Sequence, residues 1–285
     1  MAKLKGIAVV SVLMVFAWNL LLYYVDSQLA QRAYPDVYDN CNKIWSSRGL
    51  YKSHDERNSI SSFRRAFEHG TVGAEVDFSY DSKMNRFVVG HGHPKKDAQG
   101  NYMYAKKDGI ILTLEKLFEA VGEGHYFWLD YKNLEHLSSE ETATAIKRLQ
   151  EITKDSDLRD RLYIEASNPL ALSIYTKAGF KSILGIHPLS EVNPFSSIVV
   201  SAYKVAYYFN DITVIAMPYG KVEKPVYGSA TAEAFMTIPR FLFHVPDEHA
   251  VLQKLLEDKE VRVLLVGRDI SVDRFSESAC EITTP

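Results

Sequence analysis

The feature of this 285-residue sequence that most limits its possible folds is a regular alternation of short apolar runs with amphipathic stretches. The runs are rich in β-branched and aromatic residues, as buried strands are. Strands separated by helices form parallel sheets, because each connection must cross back over one face of the sheet. The sequence predicts eight strands, at residues 43–48, 73–79, 126–131, 161–166, 181–186, 212–217, 240–245 and 261–266.

Helices are predicted between these strands where apolar residues recur at helical spacing. In one segment Ile60, Phe63 and Phe67 fall on one face, whereas Arg64 and Glu68 take the other. Eight strands with intervening helices are the pattern of an α/β fold, the (β/α)8 barrel, which commonly reaches this length as one domain. The clearest helices are predicted at 59–69, 113–121, 140–152 and 247–257.

The N-terminal segment is apolar. Lys3 and Lys5 precede Gly6–Val25, about 20 uncharged residues, which can cross a membrane as a helix. Lysines before the segment and Asp26 after it predict a cytoplasmic N-terminus, with the barrel on the outer side of the membrane. A cleaved signal peptide is the alternative, but Ser27–Ala33 offers no small-x-small cleavage site. We expect a single transmembrane anchor at 1–25, a polar tether at 26–40 and one barrel domain at 41–285.

Composition narrows the possible partners. The chain is 46% hydrophobic and 24% charged, so it can bury a full core and has no bias toward disorder. Its formal net charge of −3 provides no basic surface for a phosphate backbone. Nucleic acid is therefore not an expected partner, whereas the N-terminal segment makes the membrane one.

The chain has two cysteines, Cys41 and Cys280, too few for a disulfide scaffold and not in metal-ligand spacing. Cys41 precedes the first predicted strand and Cys280 follows the last. Since barrel closure brings the last strand back beside the first, we expect the two cysteines to be neighbours that can form a disulfide.

Two of the predicted strands carry carboxylates near their ends. The strand period of two places Glu75, Asp77 and Ser79 on one face, and Asp130 and Lys132 share a face of the next predicted barrel strand. If these strands are neighbours, three carboxylates meet, at Glu75, Asp77 and Asp130, here called the acidic cluster. Like charges ~4 Å apart repel by about 4 kcal/mol at an effective dielectric constant of 20. The cluster must therefore protonate, spread apart or bind a cation, and its oxygen ligands favour Mg²⁺ or Ca²⁺.

An ordered series of short motifs lies within the predicted strands, at their ends or at the start of the first helix. They are Ser46-Ser47-Arg48-Gly49, Asn58-Ser59, Glu75-x-Asp77-x-Ser79-x-Asp81, His91-Gly92 and Asp130-x-Lys132. This ordered set resembles the glycerophosphodiester phosphodiesterase family and, within that superfamily, the sphingomyelinase D-like branch even more. The resemblance is strongest in the first half of the barrel.

The resemblance implies a metal-dependent phosphodiesterase, either a hydrolase or a cyclising lyase, acting on glycerophosphodiesters or phospholipid head groups. It implies that the acidic cluster holds one divalent cation, Mg²⁺ or Ca²⁺. It further implies an acid/base role for His91 and phosphate contacts for Lys132 and Arg48. Cationic side chains beside a phosphodiester are also what electrostatics favours.

The sequence departs from the family pattern at Ser47, where the family has its first histidine. A serine hydroxyl does not titrate near neutrality, whereas a two-histidine mechanism needs one group to accept a proton and another to donate one. His54, His93 or a metal-bound water are possible substitutes, and spacing singles out none of them. The alternative function is a catalytically impaired barrel that binds a phosphorylated ligand or partner.

Three further segments have open interpretations. Glu165 either joins the site from the fourth strand or forms a structural ion pair. The tyrosine-rich stretch Phe195–Phe209 is expected to pack on the barrel as a helix or loop, with a membrane-interface segment as the alternative. The polar stretch Gly90–Gly109 is a candidate active-site loop.

Overall fold

The computed structural model describes residues 2–92, 95–99, 102–267 and 274, with side chains from Val10 onward. Eight parallel strands close into a barrel, because the first strand pairs with both the second and the last. The predicted (β/α)8 fold and its eight strands are confirmed. In order around the barrel they are β1 (Ile44–Ser47), β2 (Gly73–Asp81), β3 (Tyr126–Tyr131), β4 (Leu162–Ala166), β5 (Lys181–Gly185), β6 (Val214–Pro218), β7 (Arg240–Phe243) and β8 (Val261–Val266).

Helices connect the strands, and the four predicted most clearly are present with ends shifted by at most two residues. Serine caps set two of the starts: Ser59 and Ser138 each form a capping box with the residue three positions later. The helices are α1 (Ala2–Leu29), α2 (Ile60–Glu68), α3 (Leu114–Val121), α4 (Ser139–Thr153), α5 (Pro169–Lys177), α6 (Ser196–Phe209), α7 (Ser229–Phe235) and α8 (His249–Glu257).

Short antiparallel strand pairs lie at the mouth of the barrel, the end at which the parallel strands finish. The strand Arg86–Val89 turns back along the end of β2. The predicted loop Gly90–Gly109 contains a small hairpin of Lys95–Lys96 with Tyr102–Met103, and a second hairpin pairs Gly220–Lys221 with Lys224–Pro225. These segments build the mouth without interrupting the barrel.

Aromatic side chains fill the barrel interior toward its base, the end at which the strands begin. Trp45 is fully buried, and its ring centroid lies 5.7 Å from Phe241 and 6.2 Å from Tyr163. A β-carbon at Gly73 would come within 2.4 Å of the Trp45 ring, so glycine makes room for the indole. Interiors packed to this density tolerate little change in volume.

Part of the segment predicted as a polar tether, residues 26–40, packs against the barrel. The helix α1 continues through its first residues, and Val37 and Tyr38 are buried beneath the barrel floor. The backbone N–H of Tyr38 donates to the hydroxyl of Tyr163 at 2.7 Å, and its ring contacts Trp45. Burial of the apolar surfaces of Val37 and Tyr38 stabilises this packing.

The end of α1 docks on α6. Val25 and Leu29 are buried in the core between barrel and helices, and Asp26 pairs with the Nζ of Lys204 at 2.5 Å. The tyrosine-rich stretch is thus a helix packed on the barrel, as expected. Within the described residues one helical stretch, Val10–Leu29, is long and apolar enough to cross a membrane.

Only one of the two cysteines that are expected to pair lies within the described residues. Cys41 lies just before β1 at the base of the barrel. Cys280 lies outside the described residues, so its pairing with Cys41 stays a prediction.

Candidate active site

The acidic cluster lies in the barrel mouth, as the strand patterns predict. Glu75 and Asp77 point into the mouth from β2 and are buried, and Asp130 on β3 is paired in register with Asp77. One oxygen from each carboxylate lies within 4.8 Å of the others. The two-residue strand period and the parallel pairing of β2 with β3 produce this convergence.

Two cationic side chains partly neutralise the cluster. The Nε of Arg48 lies 3.0 Å from an oxygen of Asp77 and 3.7 Å from Glu75. The Nζ of Lys132 lies 2.6 Å from Asp77 and also pairs with Asp130. Two positive charges therefore face three carboxyl groups, which leaves the cluster one positive charge short.

This missing positive charge affects Glu75 most, because it favours the protonated form of its carboxyl group. Burial, followed by the charges of Asp77 and Asp130, raises the pKa of Glu75 to about 8. Ser47 donates a hydrogen bond to the same carboxyl group, from Oγ to Oε2 at 2.6 Å. Burial likewise raises the pKa of Asp130, even beside its lysine partner. A bound cation would replace the proton on Glu75.

The residues fit a hard divalent cation. The donors are carboxylate oxygens close enough to share one ion, which is the ligand type that Mg²⁺ and Ca²⁺ prefer. A thiolate or imidazole set typical of zinc is not found at this point of the described chain. The raised pKa of Glu75 is a further sign that the cluster has a place for positive charge.

His91 stands at the edge of the cluster on the β2 side. Its Nδ1 lies 3.1 Å from Asp77, and its side chain is 46% exposed, so the ring is accessible from the mouth. The backbone N–H of Gly90 donates to the carbonyl of Asp77 at 2.9 Å and fixes the approach of the chain. Burial alone would raise the pKa of Asp77, but the hydrogen bond with His91 and the two neighbouring cations hold it well below its usual range.

Asn58 holds the central carboxylate in place, a role that the sequence analysis did not assign. Its Nδ2 donates to Asp77 at 2.7 Å, and its Oδ1 accepts from the backbone N–H of Asp77 at 3.1 Å. The residue is fully buried and has a left-handed backbone with φ of 58°. Its position beside the capping residue Ser59 was the available signal, but nothing local shows that the amide faces β2.

Arg48 also has a left-handed backbone, with φ of 61°, directly after β1. Its N–H donates to the carbonyl of Glu75 at 3.1 Å, which turns the chain sharply and brings the guanidinium over the cluster. Gly49 follows, where a β-carbon would come within 2.6 Å of the backbone of Ser62. The Ser-Arg-Gly motif is therefore a turn that aims Arg48 into the mouth.

Two cavities flank the acidic cluster. The first, about 420 Å³, extends from His91 and is lined by His54, Arg57, Tyr104 and Lys107 among others. His54 thus lies on the same side of the cluster as His91, whereas His93 lies outside the described residues.

The second cavity, about 430 Å³, opens beside Ser47, Arg48 and Glu75. Its far wall carries two histidines that the sequence analysis missed, His187 and His244. Each follows the end of a barrel strand, β5 or β7, within two residues. Proximity to a strand end, which favoured a functional role for His91 beside the resemblance, was the signal that could have pointed to them.

Glu165 belongs to the wall of this second cavity. Its carboxyl group accepts a hydrogen bond from the indole N–H of Trp128, and burial followed by the charge of Asp130 raises its pKa well above the usual range. No lysine or arginine in the described part of the chain forms an ion pair with it. A β-carbon at Gly185 would come within 2.4 Å of its Oε1, so glycine there leaves space for the carboxyl group.

Comparison with known proteins supports the fold described above. No family model matches the chain, and no curated protein sequence matches it. Among solved structures, the glycerophosphodiester phosphodiesterase of Thermotoga maritima is 19% identical, with a TM-score of 0.56, covering 82% of this chain and 96% of its own. The enzyme of Agrobacterium tumefaciens is 13% identical, with a TM-score of 0.55 and coverages of 82% and 98%.

A phosphodiesterase of Oleispira antarctica, solved in complex with the product sn-glycerol-3-phosphate, is also similar. It is 13% identical, with a TM-score of 0.57, covering 84% of this chain and 96% of its own. These similarities span nearly the whole length of each solved structure. The chain therefore has the (β/α)8 barrel fold of the glycerophosphodiester phosphodiesterases.

Proposed function

We propose that this protein is a metal-dependent phosphodiesterase acting on glycerophosphodiesters or phospholipid head groups. The observation that carries the proposal is the convergence of three carboxyl groups, two of them buried and Asp130 half-buried, one positive charge short of neutrality, with Arg48, Lys132 and His91 around them. The fold shared with phosphodiesterases, one of them holding sn-glycerol-3-phosphate, supports the substrate class.

Each side chain of the site has a role in this proposal. Glu75, Asp77 and Asp130 would hold one Mg²⁺ or Ca²⁺, which when bound supplies Lewis-acid stabilisation of charge on the phosphoryl group. Arg48 and Lys132 contact the phosphate oxygens as charge-assisted donors.

His91 transfers a proton at the mouth. Asp77 accepts a hydrogen bond from its Nδ1 and so orients the ring, which leaves Nε2 facing the mouth to exchange a proton with the substrate. The attacking group is either water, which gives hydrolysis, or a hydroxyl of the substrate, which gives a cyclic product.

The second candidate function is a catalytically impaired barrel that binds a phosphorylated ligand or partner. Ser47 favours it, because the hydroxyl is engaged with Glu75 and cannot act as an acid or base near neutrality. In that case the two cations bind phosphate, and no bond breaks.

The protein would carry out this function at a membrane. We propose that α1 is a retained anchor with a cytoplasmic N-terminus and that the barrel lies on the outer side. Retention is supported by Val25 and Leu29, which pack in the core and would be lost on cleavage near them. Digestion of the barrel by protease added to the outer face of the sealed membrane tests the orientation, since a barrel on the cytoplasmic side would be protected until the membrane is permeabilised.

Turnover by the full chain in detergent tests the enzyme against the binding protein. A panel of glycerophosphodiesters is incubated with Mg²⁺, Ca²⁺ or a chelator, and phosphorus NMR separates phosphomonoester from cyclic product. We expect product with a divalent cation and none with the chelator. Binding of glycerol phosphate without turnover of any panel member would favour the second function.

A further inference from the structure

The proposed reaction lacks one proton-transfer group, because Ser47 occupies the place of a titrating side chain. We infer that His244, across the second cavity from Ser47, is the proton acceptor of the reaction. The inference rests on the proposed phosphodiesterase function and supplies the part that the acidic cluster and His91 do not.

The barrel order places His244 on the correct side. It follows β7, which lies diametrically opposite β3 and Asp130 and two strands from β1. His91, by contrast, stands on the β2 side of the cluster. A phosphoryl group held between Arg48 and Lys132 would thus have one imidazole on each side.

The backbone holds His244 at the mouth. Its φ of 51° lies in the left-handed region. This conformation is energetically unfavourable for any residue other than glycine, and it persists where the surrounding structure imposes it. The preceding Phe243 accepts a backbone hydrogen bond from Tyr219 at 2.8 Å, and its ring packs 6.4 Å from Trp128. The turn after β7 is therefore fixed on both sides, and the imidazole remains solvent-exposed in the cavity.

The surroundings of His244 favour the neutral ring. Partial burial, followed by the positive charge of Arg48 and the neighbouring His187, lowers its pKa. A neutral imidazole accepts protons, which is the role left open at Ser47.

Two other described histidines near the cluster, His54 and His187, fit this role less well. His54 lines the cavity of His91, on the wrong side of the cluster. His187 follows β5, four strands from β1, and faces a separate cavity lined by Glu135 and Asn168 as well as this one.

The proton transfers balance in a hydrolytic turn. A water oxygen forms a bond to phosphorus while its proton passes to His244, and the bond from phosphorus to the alcohol oxygen breaks. The alcohol oxygen takes a proton from protonated His91. One phosphodiester and one water give one phosphomonoester and one alcohol, and the two imidazoles return to their starting states by exchange with solvent.

The test uses the full chain in detergent, with a substrate that the unaltered protein turns over. We expect His244→Ala to lower kcat by roughly 10²–10⁴-fold, the usual contribution of one general base. Added imidazole should restore part of the rate to this variant and leave the unaltered protein unaffected. Ser47→His in the His244→Ala background should also restore activity, because it returns an imidazole to the other wall of the same cavity. His69→Gln, an exposed histidine at the far end of α2, is the matched control and should keep full kcat.

The outcomes separate this inference from the proposed function. An active protein whose kcat is unchanged by His244→Ala overturns the role of His244 and leaves the phosphodiesterase intact. A loss that neither imidazole nor Ser47→His restores also overturns it, since a merely structural side chain is not rescued by a small base. The same pattern of loss and rescue in His187→Gln but not in His244→Ala would overturn the role of His244 and assign it to His187. No turnover by the unaltered protein overturns the proposed function together with the inference.

Discussion

The base and the mouth of the barrel are built from opposite chemistry. At the base, Trp45, Tyr163 and Phe241 pack ring against ring, and Tyr38 closes the floor. At the mouth, a largely buried layer consists of carboxyl groups with fewer cations than their charge requires. Packing at the base thus stabilises the fold, whereas the buried charges at the mouth destabilise it, as is common at sites organised for binding.

The largest expected effect comes from removing one carboxylate from the mouth. Glu75→Gln should abolish divalent-cation binding and lower metal-dependent turnover by about 10³-fold or more, since a site with three protein ligands loses one. The melting temperature of the metal-free protein at neutral pH should barely change, because Glu75, with a pKa of about 8, already carries a proton there. Calorimetric titration with Mg²⁺ and Ca²⁺ measures binding, and retained affinity would contradict the site.

At the base, the effect should be on stability alone. Trp45→Ala should cost about 3–5 kcal/mol of unfolding free energy through the cavity left in the aromatic layer. Phe209→Ala, at a ring that is 57% exposed on α6, is the control and should change stability by less than about 0.5 kcal/mol. Denaturant unfolding gives both values, and equal costs would mean that the base is not the stabilising layer.

A smaller effect is expected for the amide behind the cluster. Asn58→Ala should weaken divalent-cation affinity or turnover by about 10–100-fold, the usual cost of losing a group that orients a ligand. The reason is that Asp77 would lose the donor at 2.7 Å that fixes its carboxylate. Asn210→Ala, at the end of α6, provides an amide control, and an unchanged affinity in Asn58→Ala would show that the two cations orient Asp77 unaided.

The last prediction concerns the pH dependence of stability. The folded-state pKa of Glu75, about 8, lies above its ordinary value of 4.5, so the folded chain binds more protons than the unfolded chain between these values. The contribution of Glu75 is therefore fully present below about pH 4.5 and is lost as pH rises through 8. Thermal unfolding without metal should show this loss, and Glu75→Gln or saturating Mg²⁺ should flatten it. A profile that rises over the same window in the unaltered protein alone would contradict the assignment.

Strand patterns predicted the fold and the acidic cluster because both depend on short-range regularities. The period of two fixes that Glu75 and Asp77 share a face, and the parallel register of β2 and β3 then brings Asp130 beside them. Arg48 and Lys132 lie next to strand ends, but their role as phosphate contacts came from the resemblance together with electrostatics. His91 needed the resemblance as well, since it follows a short antiparallel strand outside the barrel order.

Tertiary structure alone decided the remaining features, because they depend on residues far apart in the chain. Asn58 meets Asp77 only when the turn after β1 is left-handed. The segment 26–40 is polar enough to predict a tether, yet Val37 and Tyr38 within it are buried and complete a floor whose other parts come from strands far along the chain.

The eight strands, the apolar helix and the three carboxylates could be predicted from the order of residues, because periodicity and length are local properties of the chain. Only closure of the barrel placed His244 on the wall facing Ser47, since 196 residues separate them along the sequence and only the ring of strands brings them to one cavity. The charge deficit in the mouth is likewise a tertiary property. It arises because burial and proximity raise the pKa of Glu75, and neither can be read from the order of residues.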